Sequence, residues 1–396
     1  MKAVILAAGE GRRLEPLTET RPKPMLPVAN SPLLEHVVES VVAAGIQEVV
    51  LVVGYKRERI QSHFGDGDDW GIDIEYAIQD KQLGTGHAVL QAERHIEDTF
   101  VVLNGDRIID PSIVERAVDA DDDGETLLAV TRTDDPSGLG IVETDGDHAT
   151  GITEKPPQNE ITSEVVNAGV YRFEPDVFDA IRDTETTGEL IRDTETTGEL
   201  AITATLDRLA AAGDVRVLRY RGAWLDVSYL WDLLAVNASL LNGNPIDVPG
   251  TARIGKNAVV TDGVAVGSDA RIGASTTVLS GTAIGENARI GPNAVLDNVV
   301  VLPDATVGAG AVLRDCVVGE NARVGPNTTV AGGPGDVIVE GTVHEDVRLG
   351  GVVGDNARLG GAVSVHPGTV IGNGTAVEGG VAVDGRVPSS AEVRRG

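Results

Sequence analysis

The stretch "RIGASTTVLSGTAIGENARIGPNAVL", residues 271–296, carries an aliphatic residue at every sixth position. These positions are Ile272, Val278, Ile284, Ile290 and Leu296. A step of six matches neither the 3.6-residue period of a helix nor the two-residue alternation of a strand. It is typical of a β-helix, in which each hexapeptide forms one flat side and points its aliphatic side chain inward.

The same spacing begins at Ile254, slips by a residue in places, and resumes from Val353 to Val383. Because each coil of a β-helix buries its core only against its neighbours, many coils are needed. We therefore predict a hexapeptide-repeat left-handed parallel β-helix over residues 250–396. The stretch "GGPG" at 332–335 is expected to loop out of it, and residues 228–242 are predicted to form the connecting helix.

The first half of the chain follows a different pattern. The strand-like "KAVILAA", the helix-like "SPLLEHVVESVVAAG" and the strand-like "IQEVVLVVG" succeed one another. This alternation predicts an α/β domain over residues 1–242, with a Rossmann-like, mainly parallel sheet between helices. The unit "IRDTETTGEL" occurs twice in tandem, at 181–190 and 191–200, and its polar composition predicts a surface loop.

Composition narrows the class of protein. The 396 residues exceed the usual size of one core, so two domains are expected. A net charge of −29 argues against a nucleic acid or an anionic membrane as partner, and no apolar run approaches the length of a membrane span. The single Cys316 excludes an internal disulfide and favours the cytoplasm. Few lysines and abundant carboxylates favour a salt-adapted, halophilic protein over a merely acidic surface.

The opening loop is unusually basic for so acidic a chain. The stretch "LAAGEGRRLEPLTETRPKP", residues 6–24, contains four cations, Arg12, Arg13, Arg21 and Lys23. Gly9 and Gly11 allow close approach of the backbone to a ligand. A solvated basic turn is the plain alternative, but cations held beside a glycine-rich turn suit a polyphosphate. We expect all four cations to serve such an anion.

Two carboxylates lie in apolar surroundings. Asp106 ends the apolar stretch "TFVVLNGD", and Asp226 lies within "AWLDVSYLW". A turn for Asp106 and a helix N-cap for Asp226 are the structural alternatives. A triphosphate requires a divalent metal, and metals require carboxylates. The residues therefore favour phosphoryl or nucleotidyl transfer.

The stretch "LAAGEGRRLEPLTETRPKPMLPV" resembles the pattern LAAGxGTRLxPLTxxxPKPMLPV of sugar-1-phosphate nucleotidylyltransferases. The segments "QLGTGHAV", "NGD", "EKP", "NAGVYRF" and "WLDV" follow in the order which that family uses. The added solenoid is similar to that of two-domain N-acetylglucosamine-1-phosphate uridylyltransferases. Arg12 departs from the pattern, since the family has Thr or Ser at that position.

The resemblance implies a role for individual residues. Arg13 and Lys23 would be catalytic and would hold the triphosphate, while Asp106 and Asp226 would ligate Mg²⁺. The nucleotide would be contacted by Leu6, Ala8, Gly9, Gly11, Gln79, Gly84 and Thr85. The sugar phosphate would be held by Gly140, Glu154, Lys155 and Asn167.

The expected reaction joins UTP or dTTP to glucose-1-phosphate or N-acetylglucosamine-1-phosphate and releases pyrophosphate. One alternative adds acetyl-CoA-dependent acetyl transfer in the β-helix, but the family's acetyltransferase motifs are missing and the solenoid contains only His344 and His366. Another is a non-catalytic regulatory or scaffold protein, although Arg13, Lys23, Asp106 and Asp226 are all retained. From resemblance alone the solenoid is expected to be an oligomerisation or regulatory module, and the protein a homotrimer.

Overall fold

The computed structural model describes residues 1–120, 124–187, 191–193, 196–246 and 248–395. The chain forms two compact units that are interleaved in sequence. Unit 1 comprises Met1–Glu10, Pro22–Met25 and Leu33–Leu225, and unit 2 comprises Gly11–Arg21, Leu26–Pro32 and Asp226–Gly396. Two short N-terminal segments thus pack with the C-terminal half, although the sequence suggests a single boundary between residues 242 and 250.

Unit 1 is built on a nine-stranded sheet. In chain order its strands are β1 (Lys2–Ala7), β2 (Glu48–Val53), β3 (Asp73–Ile78), β4 (Phe100–Asn104), β5 (Thr126–Arg132), β6 (Gly140–Asp145), β7 (His148–Glu154), β8 (Val165–Phe173) and β9 (Val215–Arg219). Their spatial order is β3-β2-β1-β4-β8-β5-β9-β7-β6. The first four strands are parallel, whereas β8 runs antiparallel to both β4 and β5. The predicted α/β class is confirmed, and the sheet is mixed.

Helices cover both faces of this sheet. Successive residues of β1 point to opposite sides, so that Val4 belongs to one buried cluster and Ile5 to the other. The α-helices of unit 1 are Leu33–Ala43, Arg57–Phe64, Thr85–Gln91, Pro111–Val118, Val177–Thr187 and Ile202–Ala212. Short 3₁₀ turns span Arg12–Leu14, Leu17–Glu19, Lys23–Met25, Asp68–Trp70, Glu93–His95 and Gln158–Glu160, and further short strands span Arg107–Ile109 and Trp224–Asp226.

The tandem repeat is more ordered than predicted. Instead of a plain loop, residues 181–187 complete the helix Val177–Thr187, and Ile191–Asp193 pairs antiparallel with Thr196–Glu199. The loop prediction rested on polar composition, which does not exclude a helix end or a hairpin. The part of that prediction covering 188–190 and 194–195 lies outside the described residues.

Unit 2 contains the predicted β-helix. Arg253–Ile254 pairs in parallel with Arg271–Ile272, 18 residues further along the chain, so three hexapeptides make one coil. One row of strands comprises Arg253–Ile254, Arg271–Ile272, Arg289–Ile290, Thr306–Val307, Arg323–Val324, Arg358–Leu359, Ala376–Val377 and Glu392–Val393. The other rows comprise Val259–Val260, Val264–Val266, Thr277–Val278, Thr282–Ile284, Val295–Val301, Val312–Val318, Thr329–Val330, Gly351–Val353, Ser364–Val365, Thr369–Ile371, Ala382–Val383 and Arg386–Val387.

The six-residue pattern correctly identifies the core of the β-helix. Ile272, Val278 and Ile284 are at most 3% exposed, and the later positions Val353 to Val383 are similarly buried. Ile254 is an exception, with 43% of its surface exposed. It lies in the first coil, which has a neighbouring coil on only one side.

Two additions accompany the coils. The helix Leu230–Leu241 is the predicted connecting helix, with bounds close to the expected residues 228–242. Asn237 on this helix donates to the carbonyl of Gly281 at 2.7 Å. The antiparallel hairpin Pro334–Val339 and Thr342–Arg348 leaves the solenoid at the predicted "GGPG" stretch. Short strands at Pro27–Val28 and Ser31–Pro32 pair with each other. Among the helices of the described residues, none is long and apolar enough to span a membrane.

The arginine-bearing row gives a prediction about stability. Arg271 is exposed between the registered neighbours Arg253 and Arg289, at the strand separation of about 4.8 Å. Like charges facing each other across strands are destabilising. We expect Arg271→Thr to raise the free energy of unfolding by roughly 0.2–1 kcal/mol in low salt. Denaturant titration at low and at molar salt measures the effect, which screening should remove.

The control for that variant is Arg358→Thr. Arg358 has one arginine neighbour in the row, Arg323, and Ala376 on its other side. The change in β-propensity is the same in both variants, so only the number of repulsions differs. An equal gain in both variants, or a gain that persists at molar salt, would contradict the electrostatic explanation.

The lone thiol gives a second prediction. Cys316 is fully buried in the β-helix core, and burial together with the neighbouring Asp315 raises the pKa of its thiol. Because the thiolate is the reactive form, a disulfide reagent at pH 8 should leave Cys316 unmodified in the folded protein. The thiol should react fully once guanidinium unfolds the chain. Reaction of the native protein at the rate of a free thiol would show that the coil around Cys316 opens readily.

Candidate nucleotide and phosphate site

The shortest ion pair among the predicted site residues lies in unit 1. Lys23 donates from Nζ to Oδ2 of Asp106 at 2.6 Å. The Lys23 side chain is 13% exposed and that of Asp106 is 32% exposed, so both are partly withdrawn from water. Two residues that are 83 positions apart and were predicted to act together are thus in direct contact.

The position of Asp106 follows from the sheet. Strands β1 and β4 are parallel neighbours with Leu6 opposite Asn104, and the amide of Gly105 donates to the Leu6 carbonyl at 2.9 Å. The loops that follow both strands therefore leave the sheet at its carboxyl edge. Ligands of open α/β sheets bind beyond this edge.

The electrostatics of Asp106 favour an ionised carboxylate. Burial alone would raise its pKa, but the charges of Lys23 and Arg107 and the hydrogen bond from Lys23 outweigh burial and lower the pKa below its usual value. Asp106 therefore remains a carboxylate at neutral pH. An ionised carboxylate is the form that can ligate a divalent cation.

Arg107 belongs to the same neighbourhood and was missed by the sequence argument. It donates from Nη1 to the carbonyl of Asn167 at 2.9 Å, and its guanidinium lies 5.0 Å from the ring centroid of Trp224. The Trp224 indole donates to the carbonyl of Ala168 at 3.0 Å. Its position directly after "NGD" could have suggested a site residue. The sequence did not indicate which strand Arg107 would contact.

Gln79 and Gly84, two of the predicted nucleotide contacts, lie together. The Gln79 amide is buried and donates to the carbonyl of Gly84 at 3.1 Å, and it also contacts Nδ1 of His87 at 3.0 Å. Gly84 has a positive φ of 97°, and a Cβ there would lie 2.5 Å from the Leu200 carbonyl oxygen. Only glycine fits this position. His87 was not singled out from the sequence.

The remaining predicted nucleotide contacts of unit 1 differ in their surroundings. Thr85 begins a helix, and its hydroxyl accepts from the amide of Ile202 at 3.0 Å. Leu6 lies in β1, and the Ala8 carbonyl accepts from Gln82 at 2.9 Å. Apart from Gly9 itself and its two neighbours in the chain, no described atom lies within 4 Å of where a Cβ on Gly9 would be. The protein itself would therefore not obstruct a side chain at position 9. The open space beside Gly9 is available to a ligand.

The four predicted sugar-phosphate residues form one cluster. Gly140 lies opposite Glu154 in the β6–β7 pair, and a Cβ on Gly140 would lie 3.0 Å from the Glu154 carboxylate and 3.5 Å from Cβ of Asn167. Lys155 adopts a positive φ of 42°, and its Nζ is 3.8 Å from Oε1 of Glu154. A side chain at position 140 would therefore crowd the Glu154 carboxylate.

Asn167 already has partners for its side chain. It donates to the Tyr171 hydroxyl at 2.8 Å and accepts from the amide of Gly169 at 2.8 Å, where β8 departs from regular pairing. Burial raises the pKa of Tyr171 to about 12, although the hydrogen bond from Asn167 opposes this rise, so the phenol stays protonated. Asn167 therefore supports the local shape of β8.

Three predicted site residues belong to unit 2. Gly11 has a positive φ of 74° and precedes the turn that carries Arg13. Arg13 donates from Nε to Glu340 of the hairpin at 3.1 Å, and its guanidinium lies 5.6 Å from the ring centroid of Tyr229. Asp226 accepts a hydrogen bond from the Ser228 hydroxyl at 2.5 Å. The following helix is capped through Tyr229 and Asp232, so Asp226 is not its N-cap.

The expectation that all four cations of the opening loop bind an anion is wrong for Arg21. Its side chain is 4% exposed and donates to Asp355 at 2.5 Å and to Glu320 at 2.8 Å, both within unit 2. The partners lie 334 and 299 residues away in sequence, so no local pattern announced them. Arg21 is committed to carboxylates of its own chain.

The described residues contain no cluster of three or more His, Cys, Asp and Glu side chains that could hold a metal by itself. The two predicted ligands are divided between the units, Asp106 in unit 1 and Asp226 in unit 2.

Comparison with known families now adds to this geometry. Residues 2–243 match the family described as nucleotidyl transferase, and residues 260–350 match the family described as GMPPB C-terminal domain. The first match covers more than half of the chain. The chain belongs to the nucleotidyl transferase family.

Individual relatives support the same class. A bifunctional GlmU protein of Methanococcus maripaludis is 36% identical over 269 residues, covering 67% of this chain and 60% of that protein. A glucose-1-phosphate thymidylyltransferase of Streptomyces antibioticus is 36% identical over 275 residues, covering 67% of this chain and 73% of that protein. The low-salt glycan biosynthesis nucleotidyltransferase Agl11 of Haloferax volcanii is 35% identical over 261 residues, covering 63% and 69%.

A solved structure resembles this chain. It is a Bacillus anthracis chain in complex with sucrose, assigned as a glucose-1-phosphate thymidylyltransferase, with 27% identity and a TM-score of 0.54. The match covers 62% of this chain and 96% of that one. The present chain spans about 60% of the length of the GlmU relative.

The contacts of Asn167 give a prediction. Asn167→Ala leaves the buried Gly169 amide and Tyr171 hydroxyl without their partner, which should lower the free energy of unfolding by about 1–3 kcal/mol. Urea titration measures it. Asn244→Ala is the control, because among the described residues that exposed side-chain amide donates to the nearby Leu240 carbonyl alone, and its loss should cost less than about 0.5 kcal/mol. Equal losses would remove the structural role assigned to Asn167.

Proposed function

We propose that this chain transfers a nucleotidyl group from UTP or dTTP to a sugar-1-phosphate, either glucose-1-phosphate or N-acetylglucosamine-1-phosphate, and releases pyrophosphate. The observation that carries the proposal is the 2.6 Å contact between Lys23 and Asp106 at the carboxyl edge of the sheet. It joins a cation suited to phosphate with a carboxylate suited to a metal. Family membership and the names of the relatives from Streptomyces antibioticus and Haloferax volcanii support the same reaction class.

Lys23 and Arg13 are the proposed phosphate-binding cations. The Lys23 ammonium is already oriented by Asp106, so little reordering is needed when an anion arrives. The Arg13 guanidinium offers several donors to phosphate oxygens. Their charges would stabilise the negative charge that develops on the α-phosphate and on the departing pyrophosphate.

Mg²⁺ is the proposed cofactor, with Asp106 and Asp226 as its protein ligands. The lowered pKa of Asp106 fits this role, because the carboxylate is available at neutral pH. When bound, Mg²⁺ would neutralise the charge on the triphosphate and the leaving group. Asp226 is proposed on its resemblance to the family motif and because the helix cap lies elsewhere.

The sugar-phosphate cluster of Gly140, Glu154, Lys155 and Asn167 would hold the acceptor. A phosphate oxygen of the acceptor attacks the α-phosphorus, a new phosphorus–oxygen bond forms, and the bond to the β-phosphate oxygen breaks as pyrophosphate leaves. That oxygen is already ionised near neutral pH, so no side chain has to remove a proton. The residues therefore act by positioning and charge neutralisation.

Buried Gln79 and neighbouring Gly84 are proposed to contact the pyrimidine, with Thr85 beside them. Uracil and thymine differ by one methyl group, worth roughly 1 kcal/mol in a fitted pocket. We therefore propose UTP or dTTP as the donor, and activity with each nucleotide would distinguish them.

No specific observation favours an additional acetyltransferase activity. The ring of His344 packs against Tyr229 and Trp231 at 4.9 and 5.2 Å, which is a structural environment for that histidine. A scaffold role without catalysis is disfavoured by the retention of Lys23 and Asp106 in contact. We further propose a cytoplasmic location from the single cysteine, and salt adaptation from the acidic, lysine-poor composition. A homotrimer is proposed from the β-helix resemblance alone.

The test is pyrophosphate release over a panel of nucleoside triphosphates and sugar-1-phosphates, at high salt and with Mg²⁺. We expect turnover with UTP or dTTP, and its loss when a chelator removes the metal. Asp106→Asn should lower kcat/KM by about a hundredfold or more, because the metal ligand and the partner of Lys23 are both weakened.

Asp98→Asn is the matched control, because it makes the same substitution at an exposed position of the loop before β4. It should leave turnover unchanged. Thermal unfolding of both variants checks that the fold survives. Wild-type-like turnover of a folded Asp106→Asn protein would refute the metal role of Asp106, and inactivity of the wild type over the whole panel would refute the proposed reaction.

A further inference from the structure

The β-helix does more in this structure than stack coils, because residues 11–21 pack on it within unit 2. We call this stretch the anchored segment. It contains Gly11 and Arg13, and its last residue, Arg21, is followed in the chain by Pro22 and Lys23. Position 21 is one that the family pattern quoted above leaves open. The role of Arg21 is therefore a property of this chain's own contacts.

The central contact of the anchored segment is a buried ion pair. Arg21 is 3% exposed and donates from Nη2 to Oδ2 of Asp355, which is 1% exposed. The same nitrogen donates to Glu320 at 2.8 Å, and the Thr20 hydroxyl also donates to Asp355. Charges this deeply buried are retained only with well-placed partners, and removing one partner is strongly destabilising for the other.

Asp355 is itself held by neighbouring coils of the β-helix. Its Oδ1 accepts from the amide of Glu320 at 2.7 Å, and its own amide donates to the Asn373 side chain at 2.7 Å. The carboxylate thus has little freedom to move. A group that orients another residue is effective when its own position is fixed in this way.

Further contacts extend the anchor toward the start of the segment. The Asn373 amide donates to the carbonyl of Pro16 at 2.6 Å and to Glu19 at 3.0 Å. The Ser389 hydroxyl donates to Glu19 at 2.9 Å. Successive coils of the solenoid therefore hold residues 16–21 through both backbone and side chains.

We propose that Asp355, acting through Arg21, is a positioning residue for the nucleotide triphosphate, so that the β-helix is a working part of the transferase. The proposal rests on the proposed function, because it assigns phosphate binding to Arg13 and Lys23. When residues 11–21 are held in place, the backbone that carries Arg13 is held as well. The position from which the chain continues through Pro22 to Lys23 is then also fixed. Small displacements of groups that orient a substrate are costly to catalysis.

The test compares Asp355→Asn with Asp304→Asn. Asp304 is an exposed corner residue of an earlier coil, has a positive φ of 60°, and makes no side-chain contact to the anchored segment among the described residues. We expect Asp355→Asn to raise KM for the nucleoside triphosphate about tenfold or more. KM for the sugar-1-phosphate should change little, because its proposed residues lie in β6, β7 and β8 or, for Lys155, directly after β7. Asp304→Asn should leave both values unchanged.

A milder variant covers the case in which Asp355→Asn fails to fold. Glu320→Gln keeps the contact between Arg21 and Asp355. The Glu320 side chain is 39% exposed, so this variant should fold. It should raise KM for the triphosphate in the same direction but less. If Asp355 were only a structural residue, its loss would lower thermal stability without separating the two KM values.

Hydrogen exchange separates failure of this inference from failure of the proposed function. Backbone amides of residues 11–21 should exchange faster in Asp355→Asn than in Asp304→Asn, whether or not the enzyme turns over. An inactive wild type with this exchange difference would refute the reaction but keep the anchor. An active wild type, with unchanged triphosphate KM and unchanged exchange in folded Asp355→Asn, would overturn the inference.

Discussion

The contact between Lys23 and Asp106 is the constraint on which the candidate site depends. Without a partner, the Lys23 side chain could adopt many rotamers. Without a nearby cation, burial would raise the pKa of the Asp106 carboxyl group. Together each fixes the state of the other, since the cation keeps Asp106 ionised and the carboxylate orients the ammonium. A site for a magnesium-bound anion needs both properties before the ligand arrives.

Charge is distributed in this chain in a way that the net value of −29 does not convey. Three of its groups of cations illustrate this. Lys23 faces a carboxylate near the sheet edge, Arg21 is buried between two carboxylates, and the arginines of the β-helix row stand exposed in register. The acidic remainder repels anions in general, so a polyphosphate is attracted only where cations are concentrated and held in place.

The sequence predicted those features whose physical cause is local or periodic. The β-helix core followed from a six-residue step, because each inward position repeats the same environment as its neighbours in the stack. The family motifs singled out Lys23 and Asp106 for separate roles, whereas the direct contact between them is a finding of the structure. Arg107 and His87 were not predicted as site residues, because their roles depend on partners that only folding brings near them. These partners are the Asn167 carbonyl for Arg107 and the Gln79 side-chain amide for His87.

Arg21 illustrates the remaining limit and leads to a different view of the C-terminal half. Its partner lies 334 residues away, in a coil whose own sequence, "GDNARLG", reads as an ordinary repeat. Oligomerisation alone would not explain why the Asp355 carboxylate is buried against Arg21, because burying a charge is unfavourable unless it is paired. A carboxylate buried so that it can hold the opening loop makes sense if that loop must keep one shape. The anchored segment, residues 11–21, and the solenoid belong to the same compact unit, and the proposed positioning role of Asp355 is consistent with that packing.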